Sequence, residues 1–150
     1  VLCAVVPDAA VIGFHFGIRY RDLLGHRGIS HSLLFALVLA SLVVALGFRY
    51  VPRFSRKWWA LFAHFFAVTS SHGLLDAMTT GGLGIGFFIP LDNTRYFLPW
   101  RPVAVSAIRL SKFFSPSSLH VIASELLWVW MPLLLLAAAL RVFRRAFNRS

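Results

Sequence analysis

The chain has 150 residues, 59% of them hydrophobic and only 13% charged, and fifteen Lys and Arg face five acids for a net charge of +10. Soluble domains carry roughly a quarter charged residues, so this composition excludes an ordinary soluble fold, whose core could not hide so much apolar surface. The basic residues stand in short runs beside apolar stretches, a pattern of membrane-surface anchors that excludes a nucleic-acid groove as the first reading.

In chain order, the first candidate helix is Val1–Ile18, an apolar stretch interrupted by Pro7 and Asp8. Cys3 within it is the sole cysteine, which rules out an internal disulfide and a cysteine-based zinc site. The clearest span is Leu33–Phe48, uninterrupted but for Ser41 and Gly47 and close to the roughly 20 residues a crossing helix needs. Trp58–Met78 is a third apolar segment, but it carries His64, Ser70, Ser71, His72 and Asp76, so we expect it inside the bundle. Thr79–Leu119 is rich in Gly and Pro and reads as a long loop, with short interfacial segments around Phe87–Ile89 and Val103–Phe114. The last span is Val121–Val142, with Pro132 expected to kink it.

The expectation is therefore an all-α integral membrane bundle of about four helices, one domain over 1–150, with the long loop on the non-cytoplasmic side. Orientation follows from two basic clusters without an acid, Arg49-Arg53-Arg56-Lys57 and Arg141-Arg144-Arg145-Arg149, both expected on the cytoplasmic face.

That topology gathers the polar residues. Asp8, His26, His31, His72, Asp76 and Glu125 all fall at helix ends on the non-cytoplasmic side. A carboxylate near the bilayer centre costs about 2.5–3.5 kcal/mol on insertion scales, so such groups collect and tend to be functional. His72 and Asp76 are four apart, on one helix face, where they can grip one cation or simply hydrogen-bond each other. In His26-Arg27-Gly28-Ile29-Ser30-His31-Ser32, Gly28 permits a turn and Ser30 is expected to cap the following helix, so both imidazoles can converge. Imidazole with carboxylate suits zinc, iron, nickel or manganese. Asp8 is a candidate ligand or base, or a helix cap. Glu125, the only Glu, is a candidate general acid or base, because burial raises a lone carboxyl. Arg95 and Arg101 in the long loop are interfacial anchors first and, as arginine forks, candidate holders of an anionic headgroup. His15, His64 and His120 stand in aromatic or apolar company and are expected to be structural.

Pro7-Asp8, the block His26 to Leu34 and Ser71-His72-Gly73-Leu74-Leu75-Asp76, with Thr79 and Gly81-Gly82, together resemble the YdjM-like family of bacterial inner-membrane proteins, described as metal-dependent hydrolases. The resemblance covers nearly the whole chain. It implies a multi-pass protein of the bacterial inner membrane with Asp8, His26, His31, His72 and Asp76 as metal and catalytic positions. The motif order is also similar to that of the zinc-dependent phospholipase C and single-strand nuclease superfamily, helical enzymes that cleave phosphoesters. Two positions depart from those patterns: Ala10 stands where a second acid is common, and His120 and Glu125 are five apart instead of four.

The leading reading is a membrane-embedded hydrolase using a divalent metal, zinc first, on an ester or phosphoester of a lipid or small lipid-like molecule. Asp8 or Glu125 would take the proton from water and Arg95 or Arg101 would hold the anion. The alternative is a small transporter or ion-conducting protein using the same cluster. A non-catalytic adaptor ranks last, and the oligomeric state is left open.

Overall fold

The computed structural model describes residues 2–105 and 116–147. Regular structure there is helical, with isolated β-bridges but no strand among the described residues. Helix α1 (Leu2–Val5) runs into a 3-10 segment, Val6–Phe16. A 3-10 turn at Ile29–His31 precedes α2 (Leu33–Gly47), and α3 (Arg56–Ala77) follows. Later come α4 (Pro116–Glu125), a π-helical segment (Leu126–Trp130) and α5 (Met131–Phe147). The chain divides into two compact units, Val1–Met78 with Leu83–Pro99 and Thr79–Gly82 with Trp100–Ser150.

The expected first helix is thus mostly 3-10. Pro7 sits at its start and has no N–H to donate, and the segment closes at Gly17, whose φ of +80° frees its N–H for Phe14 O. The helix α2 is capped by Ser32, whose Oγ accepts from Phe35 N at 3.1 Å, and not by Ser30. Ser30 instead lies 3.0 Å from His31 Nδ1.

α2 and α3 form an antiparallel hairpin. The buried residues of α2 are Ala36, Ala40 and Val44, and those of α3 are Thr69, Gly73 and Ala77, each set four apart and small. Small side chains let two backbones approach, which is how helices associate where surrounding lipid removes the hydrophobic drive. Large apolar residues point the other way: Leu37, Leu42 and Leu46 of α2 are about half exposed. A contiguous apolar face of this kind suits contact with lipid.

In the second unit, Leu119–Phe147 is a continuous helical run of 29 residues whose most apolar 18-residue stretch has a mean hydropathy of 2.1, long and apolar enough to cross a membrane. Among the described residues it is the only helix that passes that test. α2 has 15 residues, about 23 Å at 1.5 Å per residue against a hydrocarbon core of about 30 Å. α3 has 22 residues, but Arg56, Lys57, His64, His72 and Asp76 lower its hydropathy. Pro132 is accommodated by the π-helical segment just before it, where Met131 N–H reaches back to Leu126 O.

The part of the loop after α3 that belongs to the first unit, Leu83–Pro99, is tied to the rest of that unit by backbone hydrogen bonds. Ile85 and Tyr96 exchange N–H···O bonds of 2.8 and 2.9 Å, Leu33 N donates to Phe87 O, and Leu98 N donates to Ala77 O. Ile85 and Ile89 are among the most buried residues, whereas Phe88 between them is half exposed, so the segment Phe87–Ile89 is anchored through Ile89 and leaves an aromatic ring on the surface. Most of Val103–Phe114 lies outside the described residues; Val103 is buried and receives Thr80 N.

A candidate metal centre of histidines and aspartates

Three stretches of the first unit meet at one point. The 3-10 segment supplies Asp8 in its first turn, the loop before α2 supplies His26, Arg27 and His31, and the last turns of α3 supply His72 and Asp76. Each of Asp8, His31, His72 and Asp76 offers a ligand atom, and these four atoms lie within 4.8 Å of one another. His72 Nε2 stands 3.2 Å from Asp8 Oδ1, and His31 Nε2 stands 3.7 Å from the same oxygen and 3.4 Å from Asp76 Oδ2. His26 is at the edge of the group, its Nδ1 3.9 Å from Asp8 Oδ1 and its ring 5.3 Å from that of His31.

Backbone chemistry explains why the sequence folds this way here. Gly73 brings α3 against the turn before α2: a Cβ there would lie 3.1 Å from His31 O. Gly28 is needed for space, since a Cβ would collide with Leu23 O; the left-handed residue of this block is Arg27, with φ of +63°. Gly86 N and Arg95 Nη1 both donate to Arg27 O, each at 3.1 Å.

The donor set fits a divalent cation. His31 Nε2 and His26 Nδ1 are buried and have no hydrogen-bond partner, which is costly for polar atoms unless something else binds them. Bonds of about 2.0–2.1 Å to zinc put tetrahedral ligand atoms roughly 3.3 Å apart, close to the 3.2 and 3.4 Å separations of two pairs here. The two carboxylates outnumber the one buried guanidinium, Arg27, so the pocket favours positive charge. Burial acts against the charged form of His31, yet the carboxylates of Asp76 and Asp8 outweigh it and hold its pKa above the ordinary imidazole value. Burial and then the neighbouring His31 push His26 the other way. Ser30 contacts the remaining nitrogen of His31, orienting the ring as outer groups do at metal sites.

Arg27 is the residue that sequence reasoning missed. It is 4% exposed and its Nε donates to Asp76 Oδ2 at 3.1 Å, the same oxygen that faces His31. Its place between His26 and Gly28 was the available signal.

The remaining candidates fall elsewhere. Arg95 directs Nη1 to the carbonyls of His26 and Arg27 and Nη2 to those of Arg21 and Asp22, at 3.1–3.5 Å. It therefore acts as a clamp on the loop that carries His26 and Arg27. Asp92 steadies the clamp's own loop by accepting from Thr94 N, Thr94 Oγ1 and Tyr96 Oη, bonds that lower its pKa. Arg101 and Glu125 belong to the second unit, Arg101 exposed and Glu125 half-buried at the end of α4. The four-residue group is complete within the first unit. His15, His64 and His120 are exposed and outside it.

Together these features define a helical membrane protein with a His/Asp group that can hold a metal ion. The chain belongs to the YdjM inner membrane protein family, whose profile matches residues 1–148. It is 41% identical over 146 residues to the inner membrane protein YbcI of Escherichia coli (strain K12), covering 97% of this chain and 82% of that protein. No solved structure is significantly similar to it.

Proposed function

We propose that this inner membrane protein is a metal-dependent hydrolase that cleaves an ester or phosphoester of a lipid or lipid-like substrate. The observation that carries the reading is the convergence of Asp8, His31, His72 and Asp76 from three separated stretches, with a buried His31 Nε2 that makes no hydrogen bond facing both carboxylates. Those four residues would hold the ion, zinc by their chemistry, with His26 beside them. What a divalent ion supplies at such a site is Lewis acidity, which makes water a usable nucleophile near neutral pH.

The protein's own groups divide the remaining work. Asp8 is the more open carboxylate, its side chain 46% exposed against 21% for Asp76. All three histidine contacts to Asp8 are made by Oδ1. Its other oxygen, Oδ2, is the atom we assign to accept a proton. Asp76 is tied to Arg27 and is a ligand, not a base. Arg95 keeps the histidine loop in place and is not needed as a substrate anchor. The site is assigned to the non-cytoplasmic side of a multi-pass protein, because the basic α2–α3 connection lies at the other end of the hairpin.

His72→Ala tests the reading. Loss of bound metal and of esterase or phosphodiesterase activity on lipid substrates is expected, and retention of both would overturn it. The transport alternative has one observation in its favour, the buried and unpartnered Ser70 Oγ on α3. Farther along α3, Thr69 spends its hydroxyl on Phe65 O and His64 is exposed, so the polar trail is short. Metal flux into proteoliposomes that is lost in Ser70→Ala would favour that alternative.

A further inference from the structure

The α2–α3 hairpin carries a second polar feature at the end away from the histidines. Val44, Phe48, Arg49, Val51, Arg53 and Trp58 line a cavity of about 440 Å³, within the roughly 300–1,000 Å³ typical of small-molecule sites. Its floor is apolar, with Val44 and Val51 buried, and its rim holds the exposed guanidinium groups of Arg49 and Arg53.

Nothing in the protein's described residues neutralises those two arginines. The sequence has no acid between Asp22 and Asp76, so the whole hairpin carries none until the last turn of α3. Lys57 in the same connection is already engaged, 5.8 Å above the Tyr50 ring. Helix dipoles do not decide the matter, because the negative end of α2 and the positive end of α3 both open here and offset each other. The guanidinium groups set the sign of the site.

The ligand they fit is an anion with an apolar part. Arginine forks match phosphate oxygens, and the cavity floor offers nothing to a small hydrated ion. Aromatic rings gather at the same level: Trp58 stacks on Phe62 with centroids 5.7 Å apart, and Phe54 packs against Trp58 at 5.3 Å. Tryptophans at this position mark the headgroup zone of a bilayer. We propose that the cavity binds the phosphodiester headgroup of an anionic phospholipid, with Arg49 and Arg53 on the phosphate and Trp58 beside the glycerol. This site is separate from the histidine cluster and stands whether or not that cluster holds a metal.

The test is native mass spectrometry of the full chain released from nanodiscs of equal phosphatidylglycerol and phosphatidylcholine with matched acyl chains. The wild type is expected to retain phosphatidylglycerol over phosphatidylcholine by roughly thirtyfold, as two surface arginines would give. The double variant Arg49→Gln/Arg53→Gln should lose that preference, while Arg141→Gln/Arg144→Gln on α5 should keep it. Both pairs are exposed, so folding is expected to survive and is checked by circular dichroism. The proposal is overturned by equal retention of both lipids in the wild type, or by a preference that follows the α5 pair. Inorganic phosphate bound by the wild type in nanodiscs of phosphatidylcholine alone, together with no preference for phosphatidylglycerol, would equally overturn it, since the ligand would then be free phosphate.

Discussion

The two units of this chain use apolar residues in opposite ways. In the second, Met131–Phe147 exposes every residue, large leucines included, and nothing within that helix is buried. In the first, α2 and α3 pair along small residues and collect imidazoles and carboxylates at one end. Hydropathy finds the second at once and undervalues the first, because the residues that lower the score of α3 are the ones that build the site. The least membrane-like of the long helices is where the chemistry gathers.

That contrast can be broken most sharply at Arg27. Arg27→Gln removes the partner of the half-buried Asp76 carboxylate, a change expected to cost less than the about 3–5 kcal/mol of a fully buried pair. We expect a lower thermal midpoint and a zinc affinity reduced roughly 10- to 100-fold by isothermal titration, as for other groups that orient metal ligands. An affinity equal to wild type would show that Asp76 needs no anchor. Gly73→Ala comes next: the added methyl must push His31 O away, and overpacking of this kind costs about 1–3 kcal/mol. Its midpoint should fall and its metal affinity with it, whereas Gly47→Ala, which meets nothing within 4 Å, should alter neither.

Arg95→Lys is expected to do less. An ammonium cannot span the four carbonyls, so faster hydrogen exchange over residues 21–28 should appear with helix content unchanged. The smallest effect belongs to the second unit. Leu134→Ala sits on a side chain that is 66% exposed and should change stability in detergent by less than about 0.5 kcal/mol. A large loss there would mean that the exposed face is covered by protein in solution and would erase the contrast between the units.

Much of this was legible in the sequence, and the failures have physical causes. His72 and Asp76 could be paired because helical spacing puts them on one face, and His26 and His31 because a glycine-containing block precedes a long apolar run. The long helix near the C-terminus followed from composition alone. The cap was misplaced because Ser30 and Ser32 are both good acceptors, and only the backbone decides which one stands before the first helical turn. Arg27 was passed over because an arginine in a loop looks like a surface cation until its φ turns it inward. Arg95 was read as an interfacial or anion anchor, and its clamp onto carbonyls some seventy residues away leaves no local trace in the sequence. Val1–Ile18 was read as a candidate helix interrupted at Pro7 and Asp8, and the 3-10 turns that run from there to Phe16 show how little apolar character says about helix type.

The central claim, that Asp8, His31, His72 and Asp76 form a metal centre, is most directly tested by elemental analysis of the full-length protein purified without chelators. About one divalent ion per chain is expected in the wild type, zinc foremost, and none in His72→Ala of unchanged helix content. A folded wild type that carries no metal and takes up none on titration would contradict it.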